Sequence, residues 1–369
     1  MPKIVILGGG VAGTRVANRL LKARRDLDVT VVDSHGDHLF QPAILYVPFR
    51  GEDPSLVRDE KALLRPGVRL LVERVLAVEP DAQRVRFESG VSLDYDWLVI
   101  ATGSQLAHDT LPGGREANLH FHCRTGALRL YEALSTFRGG DIVVGAASLP
   151  YKCPPSPVEF TFLLDDWLRE KGLREATRIT YAYPLPDIQP LAPVSKGVRP
   201  LFEERGVAIE TSFTSPSIDP ARRTVTGGGR TLPFDLLVMV PPHVAAPYLR
   251  NADLAEPGGW VKTDPRTMRV RERIYALGDT TNLARPKSGS VAHFQADVVA
   301  ANLLAEIDGG EPETQYDGRA VCFLETGGGR AMMIDFAYDR APVWRAPDRR
   351  TLWKKSIFRK FYFQFARRA

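Results

Sequence analysis

The feature that most constrains this chain is a glycine-rich turn set between a strand and a helix. Lys3-Ile-Val-Ile-Leu-Gly8 is an unbroken apolar run, the pattern of a strand covered on both faces. Gly8-Gly9-Gly10-Val11-Ala12-Gly13 follows at once and opens a helical pattern with Val16, Leu20 and Leu21 on one face. Asp28-Val-Thr-Val-Val-Asp33 then reads as a second strand ending in an acid. Each part has a mechanical reason. Gly8 makes the tight turn, Gly10 lets the backbone approach a pyrophosphate, and Gly13 lets helix and strand pack closely. Val11 and Ala12 carry the first unpaired helix N–H groups, where an anion is favoured. Asp33, with Ser34 beside it, is placed to accept bonds from a ribose. The glycine motif alone would say little; strand, turn, helix, strand and acid together predict a dinucleotide.

Two later segments narrow the choice. Asp96-Trp-Leu-Val-Ile-Ala-Thr-Gly103 is an apolar strand ending in Ala101-Thr102-Gly103, and Ile274-Tyr-Ala-Leu-Gly-Asp279 is another ending in Gly278-Asp279. In this order the three motifs resemble the FAD domain of the two-dinucleotide-binding flavoproteins, the pyridine nucleotide–disulfide oxidoreductase superfamily. The resemblance implies FAD, with Asp279 at its ribityl chain, Thr102 and Gly103 closing a strand nearby, and backbone near Val75 at the adenine. It also implies an α/β fold of two Rossmann-like, three-layer ββα domains plus a C-terminal segment with an amphipathic helix. The expected division is a split FAD domain over 1–110 and 250–310, a second Rossmann-like domain over 111–249, and a C-terminal segment over 311–369.

The second domain departs from that family's usual nicotinamide site. Asp141-Ile-Val-Val-Gly-Ala-Ala-Ser148 is the matching strand and turn, but Leu149-Pro-Tyr-Lys-Cys-Pro-Pro-Ser-Pro157 follows. Those prolines forbid a glycine loop and delay the helix to about 158–171. The next strand, 178–184, ends without an acid to hold a ribose. Electrons are therefore expected from a donor other than NADH.

Cys153 sits in that turn, and Cys322 lies 169 residues later. Taken alone, each reads equally as a small buried hydrophobe. The segment Tyr151 to Glu159 resembles the sulfide:quinone oxidoreductases and the flavocytochrome c sulfide dehydrogenases. The resemblance implies that Cys153 and Cys322 form a redox-active pair beside the flavin, with Cys123 as a third, less securely matched cysteine. Hydrosulfide opens the oxidised pair, leaving a persulfide on one sulfur and a thiolate on the other; two electrons then reach FAD. Glu159 is the implied proton acceptor. A histidine that some members carry about 38 residues after the first cysteine is Leu191 here. Phe40-Gln41-Pro42 resembles the segment that lies against the flavin ring, and Lys287, in Pro-Lys-Ser-Gly, the one that passes beneath it. No metal is expected, because His120, His122 and Cys123 are too crowded for one tetrahedral site.

The overall charge of +5 is concentrated at one end. From Arg345 to Ala369 nine Lys/Arg face one acid, Asp348. That is +8, so residues 1–344 carry −3. Within this tail Trp353, Ile357, Phe358, Phe361, Tyr362 and Phe365 are read as one broad helical face, with Lys355, Arg359 and Arg367 opposite. A basic aromatic helix suits the headgroup region of an anionic bilayer, where a quinone dissolves. Phe323, Tyr362 and Phe365 are candidate walls for a quinone ring. No nucleic-acid motif accompanies the charge, so nucleic acid is not an expected partner. No run of 18 apolar residues occurs, so no membrane-spanning helix is expected. Met1-Pro2-Lys3 enters a strand with no signal-peptide hydrophobic region before it; the expected location is the cytoplasm, peripherally bound to the inner face of the cell membrane. The expectation is thus FAD-dependent oxidation of sulfide to sulfane sulfur with membrane quinone as acceptor. Two alternatives stay open: a flavoprotein donating to cytochrome c, and a catalytically silent FAD-binding partner protein. The resemblance also leaves room for a homo-oligomer.

Overall fold

The computed structural model describes residues 1–250 and 252–368. Apolar runs without alternation form strands buried on both faces, and two sheets are built from them. The first has six strands in the order Arg269–Arg271, Ile274–Ala276, Trp97–Ile100, Lys3–Leu7, Asp28–Asp33, Arg69–Val72. Its neighbours are parallel except at the Arg269–Arg271 edge. The second has five parallel strands in the order Asn118–Leu119, Leu236–Val240, Gly140–Ala146, Thr177–Ala182, Ala208–Glu210. Helices cover one face of each sheet. A three-stranded antiparallel meander accompanies each: Val75–Glu79, Arg84–Phe87 and Ser92–Asp94 in one, Ser217–Asp219, Thr224–Gly227 and Arg230–Pro233 in the other. Val78, Val85 and Phe87 of the first meander share a core with Val5, Leu7, Leu98 and Ile100 of the sheet. This is the three-layer ββα arrangement, present twice.

The parallel order has a direct consequence for function. Neighbouring parallel strands end at the same edge, and ligands of such sheets bind outside their carboxyl ends. Gly8, Asp33, Thr102 and Asp279 lie at the ends of four strands of the first sheet, so segments far apart in sequence meet there.

After Ala320–Gly327 and Arg330–Phe336, a hairpin pairing Cys322 with Ile334, the chain ends in the helix Arg349–Arg368. This helix packs on the hairpin and on the first helix, Val11–Ala23. Its faces differ from the sequence expectation. Lys355, Arg359, Tyr362, Phe363 and Ala366 lie on its more buried side, whereas Trp353, Phe358, Phe361 and Phe365 are exposed. Lys355 therefore does not sit on a solvated face. Its ammonium has two buried carboxylates to meet, and that fixes how the helix docks. Among the described residues no helix is long and apolar enough to cross a membrane.

Candidate active site

The glycine loop behaves as its sequence requires. Gly8 adopts φ +104°, and a Cβ there would lie 2.4 Å from the Ala101 carbonyl oxygen. A Cβ on Gly13 would lie 1.9 Å from the Gly8 oxygen. Around Gly10, by contrast, a Cβ would meet nothing within 4 Å: the loop is crowded on its protein side and open on the other. Asp33 accepts from the Gly9 amide at 2.9 Å through Oδ2 and from His35 and Gly36 amides through Oδ1. Ser34 bonds His35. Thr102 Oγ1 lies 3.1 Å from the Tyr248 hydroxyl, and the Gly278 amide donates to Gln295 at 2.8 Å.

Asp279 is half-buried, and no hydrogen bond reaches its carboxylate from the described residues. Burial raises its pKa, with Lys287 and Lys152 acting the other way. A desolvated carboxylate with spare acceptor capacity, at the mouth of an open glycine cradle, fits a hydroxyl-bearing chain such as the ribityl of FAD. Lys287 donates to the Asp279 and Thr281 carbonyls at 2.7 and 2.9 Å and lies 3.7 Å from the Trp260 ring centroid. Burial brings it down to about 8. Lys152 Nζ donates to Gln41 Oε1 at 2.8 Å, tying the cysteine turn to the 3-10 helix Gln41–Tyr46 that contains Pro42. Val75 opens the first meander.

No nicotinamide loop stands at the end of Gly140–Ala146. Tyr151, 1% exposed, fills the turn, its hydroxyl bonding the Pro154 carbonyl and the Tyr183 hydroxyl. The following helix is Ser156–Glu170. Cys153 has φ +57°, an unusual conformation for a residue with a Cβ. Its amide donates to the Lys287 carbonyl at 2.6 Å, so the turn is pinned to the segment that follows Asp279.

Cys153, Cys322 and Cys123 are all free thiols. Burial pushes Cys153 up to about 12, and the neighbouring Cys322 and Glu159 push in the same direction. Burial likewise brings Cys322 to about 11, with Glu159 contributing. Lys355 opposes both shifts. Both thiols are half-buried; the helix carrying Glu159 packs on the strand carrying Cys322, and Cys322 and Glu159 both act on Cys153. Cys123 caps the helix Arg124–Thr136, its sulfur accepting from the Gly126 amide at 3.3 Å.

Lys152, which the sequence offers as the positive charge beside Cys153, does lie near that thiol; the sequence reading missed a second cation, Lys355. Lys355 bonds Glu159 and lies 3.2 Å from Glu325. Glu325 in turn accepts from the Tyr46 hydroxyl. Burial works against the Lys355 ammonium, yet Glu159, Tyr46 and Glu325 together hold its pKa above the usual range. Burial raises Glu159, and Lys355 opposes that shift. Arg359, one turn on, lies 4.5 Å from the Tyr46 ring centroid and 3.4 Å from Asp53. The one available signal was the spacing of Lys355, Arg359, Tyr362 and Ala366, which is helical in its own right.

The three quinone-wall candidates are not alike. Phe323 is half-buried beside Cys322. Tyr362 is buried, stacked on Phe40 with centroids 4.1 Å apart. Phe365 is 48% exposed. Among the described residues no cluster could hold a metal ion.

Residues 2–147 match the family model described as pyridine nucleotide-disulphide oxidoreductase. The chain is similar to the mitochondrial sulfide:quinone oxidoreductase of Mus musculus, 24% identical over 361 residues, which are 94% of this chain and 80% of that protein. It is also similar to the sulfide-quinone reductase of Aquifex aeolicus, 24% identical over 352 residues, covering 88% and 81%. Among solved structures, the sulfide:quinone oxidoreductase from Aquifex aeolicus matches with a TM-score of 0.89 at 21% identity, covering 100% of this chain and 92% of that one. The resemblance read from the motifs is thus borne out in sequence and in fold.

Proposed function

We propose, from its likeness to the sulfide:quinone oxidoreductases, that this protein is an FAD-dependent enzyme that oxidises sulfide to sulfane sulfur at Cys153 and Cys322 and reduces a membrane quinone. The observation that carries the reading is the packing of the helix bearing Glu159 on the strand bearing Cys322, with the Cys153 turn pinned to the Lys287 segment beside Asp279. FAD, when bound, takes up an electron pair from the sulfur chemistry and delivers it to the acceptor.

The chain's own residues account for the rest. Hydrosulfide attacks one sulfur of the oxidised pair; the S–S bond breaks and leaves a persulfide and a thiolate. The Lys355 ammonium stabilises that thiolate, which burial would otherwise disfavour. Glu159, raised by burial and held against Lys355, is the group that takes up and releases protons. Gly8, Gly10, Val11, Ala12, Gly13 and Asp33 hold the pyrophosphate and ribose of FAD. Asp279 holds its ribityl chain, and Gln41, Pro42 and Lys287 border its ring. In this reading 1–110 and 250–310 carry the flavin, 111–249 retains a second fold without its nucleotide, and 311–369 covers the site.

The exposed aromatics of the terminal helix, with Lys354, Lys360, Arg367 and Arg368 exposed among them, rest on the inner face of the membrane and bring the site to the quinone. Phe323 and Phe365 border its path. One spectrophotometric assay tests the reading: purified protein, sulfide, and either decylubiquinone or cytochrome c. Sulfide should bleach the flavin, decylubiquinone should restore it, and Cys153→Ser or Cys322→Ser should abolish the bleaching. Retained activity in both variants would end the proposed chemistry.

A further inference from the structure

A second buried network lies away from the thiols and joins the terminal helix to the glycine loop. His38 is fully buried and sits at its centre. Its Nδ1 lies 2.8 Å from Glu60 Oε2 and 3.0 Å from the Gly9 carbonyl oxygen. Its Nε2 lies 2.8 Å from the Tyr362 hydroxyl. Glu60, 0% exposed, accepts from Thr14 Oγ1 at 2.6 Å through its other oxygen. Thr14 Oγ1 also lies 3.1 and 2.9 Å from the Gly9 and Gly10 carbonyls.

The chemistry of these groups assigns the protons. A carboxylate and a carbonyl only accept, so Nδ1 carries the hydrogen. In the neutral ring Nε2 then accepts from the Tyr362 O–H. The chain runs from the phenol through the imidazole to the loop, each donor facing an acceptor.

The effect on the loop follows from peptide geometry. The Gly9 amide is held by Asp33 at 2.9 Å. The Gly9 carbonyl accepts on the protein side from the His38 Nδ1–H, which it shares with Glu60. In a trans peptide the C=O and the following N–H point in opposite directions. Holding the Gly9 carbonyl inward therefore turns the Gly10 N–H to the open side of the loop, where a Cβ on Gly10 would meet nothing within 4 Å.

We propose that Tyr362 and His38 are positioning residues for cofactor binding: docking of the terminal helix orients the Gly9–Gly10 peptide through His38, so that the loop presents its N–H groups to the pyrophosphate of a dinucleotide. The proposal rests on the FAD reading for the identity of that ligand. Its geometry stands on the loop alone. Tyr362 acts on the loop through His38. The ring of Tyr362 stacks on Phe40, so Tyr362→Phe removes the hydroxyl and keeps the packing.

The test compares wild type, Tyr362→Phe and His38→Leu, each as the full chain. The first readout is FAD affinity of the flavin-stripped protein, followed by flavin fluorescence. The second is hydrogen–deuterium exchange of the same flavin-free protein, read separately over 8–14 and 349–368. Tyr362→Phe should bind FAD about tenfold more weakly, the scale of one buried hydrogen bond lost. Exchange over 8–14 should rise while exchange over 349–368 stays at the wild-type level. Unchanged affinity and unchanged loop exchange in both variants would overturn the proposal. So would an affinity loss accompanied by a loosened 349–368, because the hydroxyl would then serve only to hold the helix. A wild-type protein that takes up no FAD would strike the cofactor reading instead, and the exchange measurement would still judge the positioning role.

Discussion

Replacing Lys355 by Met gives the sharpest test of the thiol pocket. The lysine side chain is 14% exposed and faces Glu159 and Glu325, at 4% and 13%. Methionine keeps most of the volume and removes the charge, leaving two buried carboxylates without their cation. Breaking a buried pair in this way costs about 3–5 kcal/mol. Spread over 369 residues at ~2 cal/mol/K of unfolding entropy each, this lowers Tm by about 4–6 °C. The deficit should also depend on pH in a defined direction. Glu159 already has a folded-state pKa above its unfolded value, and losing Lys355 raises it further. A carboxyl of that kind is harmless while protonated and destabilises the fold as pH rises through its folded pKa. In the wild type, Lys355 is raised instead, so its contribution persists until the solution is alkaline enough to deprotonate lysine. The gap between wild type and Lys355→Met should therefore be small near pH 5 and full near pH 8. Thermal unfolding of the holoenzyme, followed by flavin fluorescence at both pH values, reads it directly. A gap of the same size at both, or none at either, would refute the assignment of Lys355 as counter-ion. Lys355→Met with Glu159→Gln should recover part of the loss, since one of the stranded charges is then gone.

Gly10→Ala should leave the Tm of the flavin-free protein within about 1 °C of wild type, because its new methyl meets open space, yet weaken FAD binding. Gly8→Ala, at φ +104° and against the Ala101 backbone, should destabilise the flavin-free protein itself by about 1–3 kcal/mol. Calorimetry paired with flavin titration separates the two, and equal behaviour would argue against the orientation of the loop. For the membrane surface, Trp353→Ser, Phe361→Ser and Phe365→Ser combined should abolish flotation with anionic liposomes while leaving Tm close to wild type, since these rings are exposed. Deleting the helix would be a poorer test, because it also removes Lys355 and Tyr362. NADH should fail to bleach the flavin in stopped-flow mixing, given that Tyr151 and Tyr183 fill the turn; rapid bleaching would contradict that.

The parts of the site that could be read from the sequence are those written as continuous local patterns. Gly8 to Gly13, Asp33, Thr102 and Asp279 each terminate an apolar strand, and parallel strands bring their ends together. The turn at Cys153 was visible for the same reason. Lys355, Glu325 and Tyr46 left no such trace. They are single polar residues, Glu325 and Lys355 30 positions apart and Tyr46 279 before Glu325, joined only by tertiary packing. On the terminal helix the pattern put the aromatics on an outward face, and Trp353, Phe358, Phe361 and Phe365 are exposed; it did not show that Tyr362 turns inward or that Lys355 meets Glu159 and Glu325 on the opposite side. His38 and Glu60 were invisible because each sits in a three-residue element, Asp37–Leu39 and Glu60–Ala62, too short for periodicity to mark it.

Along the terminal helix, Lys355 and Tyr362 are two turns apart, about 10 Å at 1.5 Å per residue. One stiff rod therefore reaches both the sulfur pocket and the nucleotide loop. Those residues are synthesised after both sheets, whose strands can pair while translation continues. A chain halted upstream of residue 349 would lack the Lys355 partner of Glu159 and Glu325 and the Tyr362 partner of His38.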